Sequence, residues 1–351
     1  MEIKLGGTMF EVNEEQKNLL KATASKDKAV AEKHSQALAQ VLERAWRAGV
    51  LHPDMIDNIF DRIPLPAGGD AKFPFDFYAP ADEEAERFKA FLVPQEGAIP
   101  ERAIEGSEIY IPTFKIANSI DWSLDYARDA RWDVIARAIE VFTNGFVQRL
   151  NDEGWHVVLA CAGEHAVTTD SAAAAGTFTV NLVTSLMTAI KRLSGGRGSR
   201  VTDIYLSPEG IADIRSLSSF TVEDDANNYG FMKGPHDDLV RTLLSTPEGT
   251  APSLFGVRMH EIQELGAPGG TAEEYQSYLT DTVGVSLPAG DEEFCVALDL
   301  ASRDSFVMPV REDMQMFDDP TLHRSARAGV YGWMEQGFGC LDSRRALLGS
   351  F

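Results

Sequence analysis

Residues 125–153 have the strongest periodicity in the chain, and they constrain the fold most. Apolar residues recur there at steps of three and four, with polar residues on the opposite side. The apolar positions are Ile135, Ala138, Ile139, Phe142, Phe146, Val147 and Leu150. At about 1.5 Å per residue, a helix over this stretch would be roughly 40 Å long. We therefore predict a spine helix that supports a sheet, followed by a strand at Trp155–Ala160.

The composition is that of a folded protein with a large acidic excess. The chain has 351 residues, 44% hydrophobic and 25% charged, which is enough for two subdomains. Its 32 Lys and Arg against 54 Asp and Glu give a formal net charge of -22, which excludes a dedicated nucleic-acid-binding surface. No stretch approaches the ~18 apolar residues of a membrane helix, and residues 1–12 lack the apolar core of a signal peptide. We expect synthesis and retention in the cytosol, with no membrane partner.

The cysteines predict buried thiols rather than a disulfide framework or a metal site. Cys161, Cys295 and Cys340 are odd in number and widely spaced. Cys161 and His165 lie four positions apart, but no second pair completes a zinc site. We therefore expect no metal and no cofactor.

Three further stretches only partly match known catalytic or ion-binding motifs. Residues 195–200, GGRGSR, follow a predicted helix and lack the Gly-Lys-Ser/Thr ending of a phosphate-binding loop. Residues 284–288 lack the last glycine of a nucleophile elbow. Residues 225–236 imitate a calcium loop, but Tyr229 and His236 stand where oxygen ligands belong. None of these stretches predicts an enzyme.

Two segments carry apolar residues without a core of their own. Residues 13–49 predict a helix whose only strong apolar stripe ends at Trp46, so the remainder needs a partner surface. Residues 65–112 hold six prolines, too many for a central strand or helix, yet they are rich in phenylalanine. Long segments of this kind tend to be functional. We predict a two-stranded arm that reaches onto another subunit; a lid over a pocket in its own chain is the open alternative.

The rest of the chain predicts an α/β layer and a closing hairpin. Residues 161–300 contain a helix near 181–193, a buried strand at 201–206, and a second helix with Ser207 as N-cap and Pro208 at its first position. Further strands are predicted at 254–262 and 294–300. Residues 305–341 predict a long hairpin whose second strand is weakened by glycines.

This order of parts resembles the major capsid protein of tailed bacteriophages, which has the α+β Hong Kong 97-like fold. Residues 131–160, 201–215 (VTDIYLSPEGIADIR) and 330–349 (VYGWMEQGFGCLDSRRALLG) carry the resemblance most. The resemblance implies five regions: an N-terminal arm with a helix at 1–63, an extended E-loop at 64–116, a P domain with the spine helix at 117–160, an A domain at 161–300, and the closing hairpin of the P domain at 301–351.

The resemblance also implies a structural, non-enzymatic function. Copies of the chain would assemble through pentamers and hexamers into an icosahedral shell around double-stranded DNA, contacting the DNA only non-specifically. The protein would be made in the host bacterial cytoplasm and end in the virion capsid. A separate scaffolding protein is expected, because the chain lacks the long cleavable N-terminal region of several relatives; portal and decoration proteins are further expected partners. A cytosolic α/β enzyme with residues 64–116 as its lid, or an encapsulin-like compartment, remain alternatives.

If the chain is a shell protein, its functional residues lie in its interfaces, and we expect no catalytic, cofactor-binding or metal-binding residues. We predict that acidic residues of the loop pair with arginines near the start of the spine helix of a neighbouring subunit, and that aromatic residues of both arms are buried there. The predicted interface residues are Phe73, Phe75, Phe77, Phe88, Phe91, Glu83, Glu84, Glu86, Arg128, Arg131, Arg137 and Trp46.

Overall fold

The computed structural model describes residues 2–5, 8–11, 18, 21–23, 33–34, 37, 56–66, 68–74, 108–129, 132–170, 176–194, 198–216, 253–266, 274–288, 291–301 and 305–351. The strands are β1 Glu2–Leu5, β2 Thr8–Glu11, β3 Asp61–Pro64, β4 Lys72–Pro74, β5 Glu108–Tyr110, β6 Phe114–Ser123, β7 Thr168–Thr169, β8 Asp203–Leu206, β9 Ser253–Leu254, β10 Val257–Glu261, β11 Phe294–Leu298, β12 Phe306–Asp318, β13 Arg327–Gln336, β14 Gly339–Cys340 and β15 Ala346–Ser350. The helices are α1 Ile56–Ile59, α2 Leu124–Arg128, α3 Trp132–Ala162, α4 Val180–Leu193, α5 Pro208–Ser216 and α6 Glu274–Ser277, which continues as a π-helical turn at Tyr278–Val283.

The chain divides into two compact units. The first unit comprises residues 1–73, 109–154 and 306–339, and the second comprises 74–108, 155–305 and 340–351. The central sheet of the first unit has the order β14-β12-β13-β6, with β3 paired in parallel to β12. Strand β13 runs antiparallel to both β12 and β6, so the hairpin predicted near the end of the chain is present.

Two glycines lie just beyond the second strand of this hairpin. Strand β13 stops at Gln336, and the following Gly337 and Gly339 lie against backbone and side chain of the same unit. A Cβ atom added at Gly337 would lie 2.4 Å from the carbonyl oxygen of Pro112, and one at Gly339 would lie 2.3 Å from Ile111 Cδ1. Only glycine therefore fits these two positions.

The spine helix is longer than the sequence predicts. Helix α3 has 31 residues, or roughly 46 Å at 1.5 Å per residue, and it is preceded by the separate short helix α2. The strand predicted at Trp155–Ala160 is wrong, because these residues form the last turns of α3. Trp155, Val158 and Leu159 are buried as a helical face, and a short apolar run of this kind does not distinguish a strand from a buried helix.

The second unit is built on a six-stranded sheet of order β7-β15-β11-β8-β10-β9. Strand β8 is parallel to β10 and antiparallel to β11, and every residue of β8 and β11 is buried. Helix α4 packs its apolar stripe, Leu182, Val183, Leu186 and Ile190, into the same core. The strands and helices predicted for residues 161–300 thus occur close to their expected positions.

Local capping chemistry sets where the two helices of this unit begin. Thr179 accepts a hydrogen bond from the Leu182 amide at 3.2 Å at the start of α4. Ser207 caps α5 by accepting from the Gly210 amide at 3.0 Å, and Pro208 is the first helical residue. The start of α5 is the one that the sequence predicts.

The C-terminal strand differs from the sequence prediction. We expected residues 301–351 to close the hairpin domain, but β15 pairs antiparallel with β11 and parallel with β7 in the sheet of the second unit. The prediction is therefore corrected for Ala346–Ser350. Its residues are all buried, and the choice of partner strand depends on long-range pairing that local sequence does not record.

The N-terminal segment is described only in part. Strands β1 and β2 form an antiparallel pair, and residues 18, 21–23, 33, 34 and 37 are helical, in agreement with the helix predicted for 13–49. The domain boundaries implied by the resemblance remain predictions.

Candidate functional site

The loop arm, residues 64–116, begins and ends as a pair of strands. Strand β4 pairs with β5, and the amide of Ile111 donates a 3.0 Å hydrogen bond to the carbonyl of Ala71. Phe73 is only 8% exposed, so it belongs to the core of its own chain, whereas Tyr110 on β5 is 57% exposed. The described ends of the arm therefore form a two-stranded base.

Most of the predicted interface residues lie outside the described residues. These are Trp46, Phe75, Phe77, Phe88, Phe91, Glu83, Glu84, Glu86 and Arg131. Arg128 is exposed and forms an ion pair of 3.3 Å with Asp125 of its own helix α2. Arg137 is exposed on α3. An exposed ion pair such as Arg128 with Asp125 contributes little to stability, so Arg128 can exchange it for a stronger partner. The interface roles of all the predicted residues remain predictions.

One surface of the first unit carries a row of stacked aromatic rings that the sequence prediction missed. We call Phe317, Tyr331 and Trp333 the aromatic row. Phe317 stacks on Trp333 at 4.6 Å between ring centroids and on Tyr331 at 5.6 Å, and the two β13 rings lie 5.7 Å apart. All three side chains are partly exposed, and the facing residues of β6, Ser119 and Ala117, are small and exposed. The row is thus an open aromatic surface on one face of the sheet.

Charged groups hold the aromatic row in place. The Trp333 indole N–H donates to Glu312 at 3.1 Å, and Lys115 Nζ lies 6.0 Å from the centre of the Trp333 ring. Lys115 also lies 3.6 Å from Glu312 and 3.7 Å from Glu335. Arg311 contacts Glu335 at 3.3 Å on the neighbouring strand. The network fixes the rings before any partner binds, which lowers the entropy lost on association.

This arrangement has the composition of an interface rather than of a catalytic centre. Tyr, Trp and Arg are the residues that most often dominate binding energy between proteins, particularly with a polar rim around them. The signal in the sequence was the alternation of Tyr331, Trp333 and Glu335, which places all three on one face of β13. The alternation alone does not say that this face is the partly exposed one.

The second unit contains a buried carboxylate with three partners. Asp203 on β8 is 1% exposed; the Arg258 guanidinium donates to both of its oxygens, at 2.8 and 2.9 Å, and His260 Nε2 lies 2.7 Å from Oδ1. Burial alone would raise the pKa of Asp203, but hydrogen bonds from His260, Thr202 and Arg258 outweigh it and lower that pKa. The group therefore stays ionised, and it joins the parallel strands β8 and β10.

Two cavities of the second unit are the candidate pockets for the enzyme alternative. A cavity of 690 Å³ is lined by hydroxyls of α4 together with His165 and Arg192. A second cavity of 760 Å³ is lined by Lys191, Arg200 and Arg258 beside the exposed Phe255. The described lining of both lacks a carboxylate or thiol that could act as an acid, a base or a nucleophile. His165 lines the first cavity and Lys191 the second, together with Ser and Thr hydroxyls.

Metal ligands and membrane helices were also sought. Among the residues with described positions, no group of three or more His, Cys, Asp or Glu side chains could hold a metal ion. Within that same part of the chain, no helix combines the length and apolar character needed to cross a bilayer.

Comparison with known proteins gives structural rather than sequence similarity. No protein-family model matches the chain, and no curated protein matches its sequence. A solved structure from Microbacterium phage Oxtober96 is 13% identical with a TM-score of 0.51, and the match covers 85% of this chain and 90% of that chain. The capsid of an empty GTA particle is 14% identical with a TM-score of 0.52, again covering 85% of this chain and 90% of that chain. This similarity confirms the predicted α+β class with the Hong Kong 97-like architecture.

Proposed function

We propose that this chain, which has the Hong Kong 97-like fold, is the major capsid protein of a tailed bacteriophage. In this proposal its copies form pentamers and hexamers that close into an icosahedral shell around the double-stranded DNA genome. The observation that carries the proposal is the match over 85% of the chain to the capsid of the empty GTA particle. A match over 85% of this chain and 90% of that chain covers more than a shared core motif.

The described surfaces support assembly in two ways. Strands β4 and β5 pair at the two ends of the loop arm, and the sequence between them contains Phe75, Phe77, Phe88 and Phe91, apolar residues for which we propose a partner surface. The aromatic row supplies a preorganised surface of matching chemistry on the first unit. We propose that the loop arm of one subunit is buried on the first unit of a neighbour, as head-to-tail contacts that close into rings require.

Charge is proposed to orient that contact. The acidic residues Glu83, Glu84 and Glu86 of the arm would meet Arg128, Arg131 and Arg137 of the neighbouring subunit. If reversal of the three glutamates to lysine left assembly and its salt dependence unchanged, this pairing would be wrong. The formal charge of -22 fits a container wall that repels packaged DNA weakly, so DNA contact would be non-specific.

Further partners belong to the same proposal. A scaffolding protein and a portal are the further partners that we propose, and decoration proteins are additional candidates. Synthesis would take place in the host bacterial cytoplasm, and the mature location would be the virion capsid.

The enzyme alternative has less support, because the described lining residues of the two cavities in the second unit include no carboxylate and no thiol. An encapsulin-like compartment would use the same fold, and it differs only in its contents. Extraction of nucleic acid from purified particles distinguishes the two shells, since a virion contains phage DNA and a compartment contains cargo protein.

The proposal is tested by shortening the loop arm. Residues 77–105 are replaced with a short Gly-Ser turn that leaves β4, β5 and the Ile111–Ala71 hydrogen bond intact, and the variant is examined by size-exclusion chromatography and electron microscopy. We expect a folded protein, by circular dichroism, that no longer forms rings or shells. A matched control inserts the same short Gly-Ser segment into the native arm, which keeps all of its aromatic residues. Normal shells from the shortened variant would contradict the proposed role of the arm.

A further inference from the structure

The central sheet of the first unit ends on one side in a long strand whose outer edge is open. Strand β6 is the last strand in the order β14-β12-β13-β6, and in the part of the chain that the structure describes it pairs only with β13. It has ten residues, whereas β7 and β9, the edge strands of the six-stranded sheet, have two each. Strand β6 is therefore the longest edge strand among the described residues.

Strand β6 lacks the features that protect edge strands from pairing with another chain. Natural edge strands are commonly short, or they carry prolines, bulges or inward-pointing charges. All ten residues of β6 pair with β13 in one unbroken register, whereas the register of β12 against β13 shifts twice. Residues 116–120 of β6, IANSI, include no proline and no charged side chain. This edge is thus suited to the addition of a further strand.

Two hydrogen bonds show which residues of β6 have their backbone groups on the outer edge. The Leu124 amide donates to the carbonyl of Ala326 at 3.0 Å, so the backbone of Leu124 faces β13. The carbonyl of Gly329, the residue opposite Asp121, accepts from the Asp319 amide at 3.1 Å and therefore faces away from β6. Because bonded and non-bonded pairs alternate along an antiparallel ladder, the outward-pointing residues can be assigned. They are Lys115, Ala117, Ser119 and Asp121.

The sequence of this edge is complementary to itself when two copies lie antiparallel. If Asn118 is opposite Asn118 of the other copy, Lys115 is opposite Asp121 and Ala117 is opposite Ser119. Every outward-pointing residue then meets an outward-pointing residue, as a hydrogen-bonded antiparallel ladder requires. A shift of two residues in either direction would separate Lys115 from Asp121. Opposite charges therefore select one register.

We propose that β6 pairs with β6 of a second copy of this chain around a two-fold axis at Asn118. The two five-stranded sheets would join into one continuous sheet through about eight backbone hydrogen bonds and two ion pairs of Lys115 with Asp121. The contact is isologous, because the same residues of both copies form it. The inference rests on the edge of β6 and not on the proposed shell function, whose rings require head-to-tail contacts through other surfaces.

The side chains of β6 are accessible to this contact. Lys115 lies 3.7 Å from Glu335, and Asp121 lies 2.9 Å from Arg327 of its own chain. Because 58% of the Lys115 side chain and 38% of the Asp121 side chain are exposed, these are surface ion pairs that contribute little to stability. Both charges can therefore turn to a second copy at little cost. Ala117, between them, is small and exposed and leaves the edge accessible.

The first test cross-links the purified full-length protein with a carbodiimide, which joins an amine to a carboxylate in contact with it. Lys115 and Asp121 lie six positions apart on one strand, roughly 20 Å, so they cannot be joined within one chain. Cross-linked protein is separated on denaturing gels, and linked peptides are mapped by mass spectrometry. We expect a band of twice the chain mass that contains a link between Lys115 and Asp121.

Charge variants test the register. Lys115→Asp places carboxylates opposite each other in the pair, and Asp121→Lys places amines there, so each variant alone should associate about tenfold more weakly in sedimentation experiments. The two variants have edges complementary to each other, so their mixture should recover the association of the wild type. Asp313→Lys reverses an exposed carboxylate of the same sheet outside β6 and should leave association unchanged.

A proline variant tests the backbone pairing. Ala117→Pro removes an N–H that points outward and is not used by β13, so the fold should remain, measured by circular dichroism, while the paired species is lost. Ala117→Ser, which keeps the N–H, is the matched control and should associate as the wild type does.

Four results would overturn the proposal. These are absence of the link between Lys115 and Asp121 in the wild type, a link from either residue to another segment of a second copy, a mixture of the two charge variants that associates no better than each alone, and wild-type association of Ala117→Pro. Shells without the link would contradict only this inference. Linked dimers that never form rings would contradict only the proposed function.

Discussion

The indole N–H of Trp333 donates a 3.1 Å hydrogen bond to a carboxylate oxygen of Glu312 on the adjacent strand, and this bond orients one ring of the aromatic row. Replacing Trp333 with Ala removes one ring of the aromatic row while Phe317 and Tyr331 remain. We expect loss of assembly, measured as the absence of rings and shells in electron micrographs, with about 1–3 kcal/mol lower stability of the isolated chain.

The control for this prediction is Trp333→Phe, which keeps an aromatic ring in the row but loses the hydrogen bond to Glu312. This variant should still assemble, but only at a higher protein concentration than the wild type needs. If the Trp333→Ala variant formed shells at the same protein concentration as the wild type, the aromatic row would not be an assembly surface.

The buried carboxylate of Asp203 should make the free energy of unfolding decrease at acidic pH. Its pKa is lowered in the folded protein, so its contribution is complete above the ordinary carboxyl value of 3.8 and is lost as the pH falls through the lower folded pKa. Asp203→Asn should cost about 1–3 kcal/mol at neutral pH, a range that allows for the exposed Arg258 partner. The difference should shrink as the pH falls below about 4.

Urea unfolding of both proteins between neutral pH and about pH 3 measures this difference. A matched control is Asp125→Asn, which breaks the exposed pair with Arg128 and should change stability by only a few tenths of a kcal/mol. A wild-type advantage that grows on acidification would mean that the folded pKa of Asp203 is raised rather than lowered.

The buried Glu293 should change the pH dependence of stability in the direction opposite to that of Asp203. Burial raises its pKa above the ordinary 4.5, and the carboxylates of Glu209, Asp213 and Glu292 add to that effect against the hydrogen bond donated by Ser207. The folded state therefore holds a proton where the unfolded chain has lost it, so stability falls as the pH rises from 4.5 through the raised folded pKa.

Glu293→Gln imitates the protonated side chain and keeps an acceptor for Ser207. We expect this variant to be more stable than the wild type at neutral pH, by an amount of order 1 kcal/mol, and to lose most of the pH slope above 4.5. Asp281→Asn, an exposed carboxylate of the same unit, is the control and should preserve the slope. Lower stability of Glu293→Gln at every pH would indicate that the ionised form is the one that the fold needs.

The buried end of the spine helix should be important for stability. Trp155 is 2% exposed and packs edge-on against Tyr205 at 4.9 Å and against Tyr275 at 6.0 Å. Trp155→Ala should lower the free energy of unfolding by about 3–5 kcal/mol because it leaves a large cavity. Trp155→Phe refills part of that cavity and should cost less than half as much. A loss below about 1 kcal/mol for Trp155→Ala would contradict the packing described for this helix.

Sequence reasoning succeeded where the deciding chemistry is local. Ser207 and Pro208 mark the start of α5 because a capping hydroxyl and a first-turn proline act over only a few residues. The hairpin of β12 and β13 follows from alternation and from turn residues between the strands. The long periodic stretch likewise predicts the spine helix, although not its end.

The remaining features depend on contacts between distant residues. Trp155–Ala160 is rich in β-branched and aromatic residues, yet it is helical because its apolar side faces Tyr205 and Tyr275. Strand β15 pairs with β11 rather than closing the hairpin, and no local signal records that choice. The aromatic row likewise depends on the register between β12 and β13, which the sequence alone does not give.

The most direct test of the shell assignment is the mass of what the purified chain forms. Sedimentation velocity is measured on the chain alone and with a candidate scaffolding protein, and the heaviest fraction is imaged by negative-stain electron microscopy. The proposal predicts closed megadalton particles, or discrete pentamers and hexamers. A monomer or dimer that stays small at all concentrations, with and without the scaffolding protein, would contradict it.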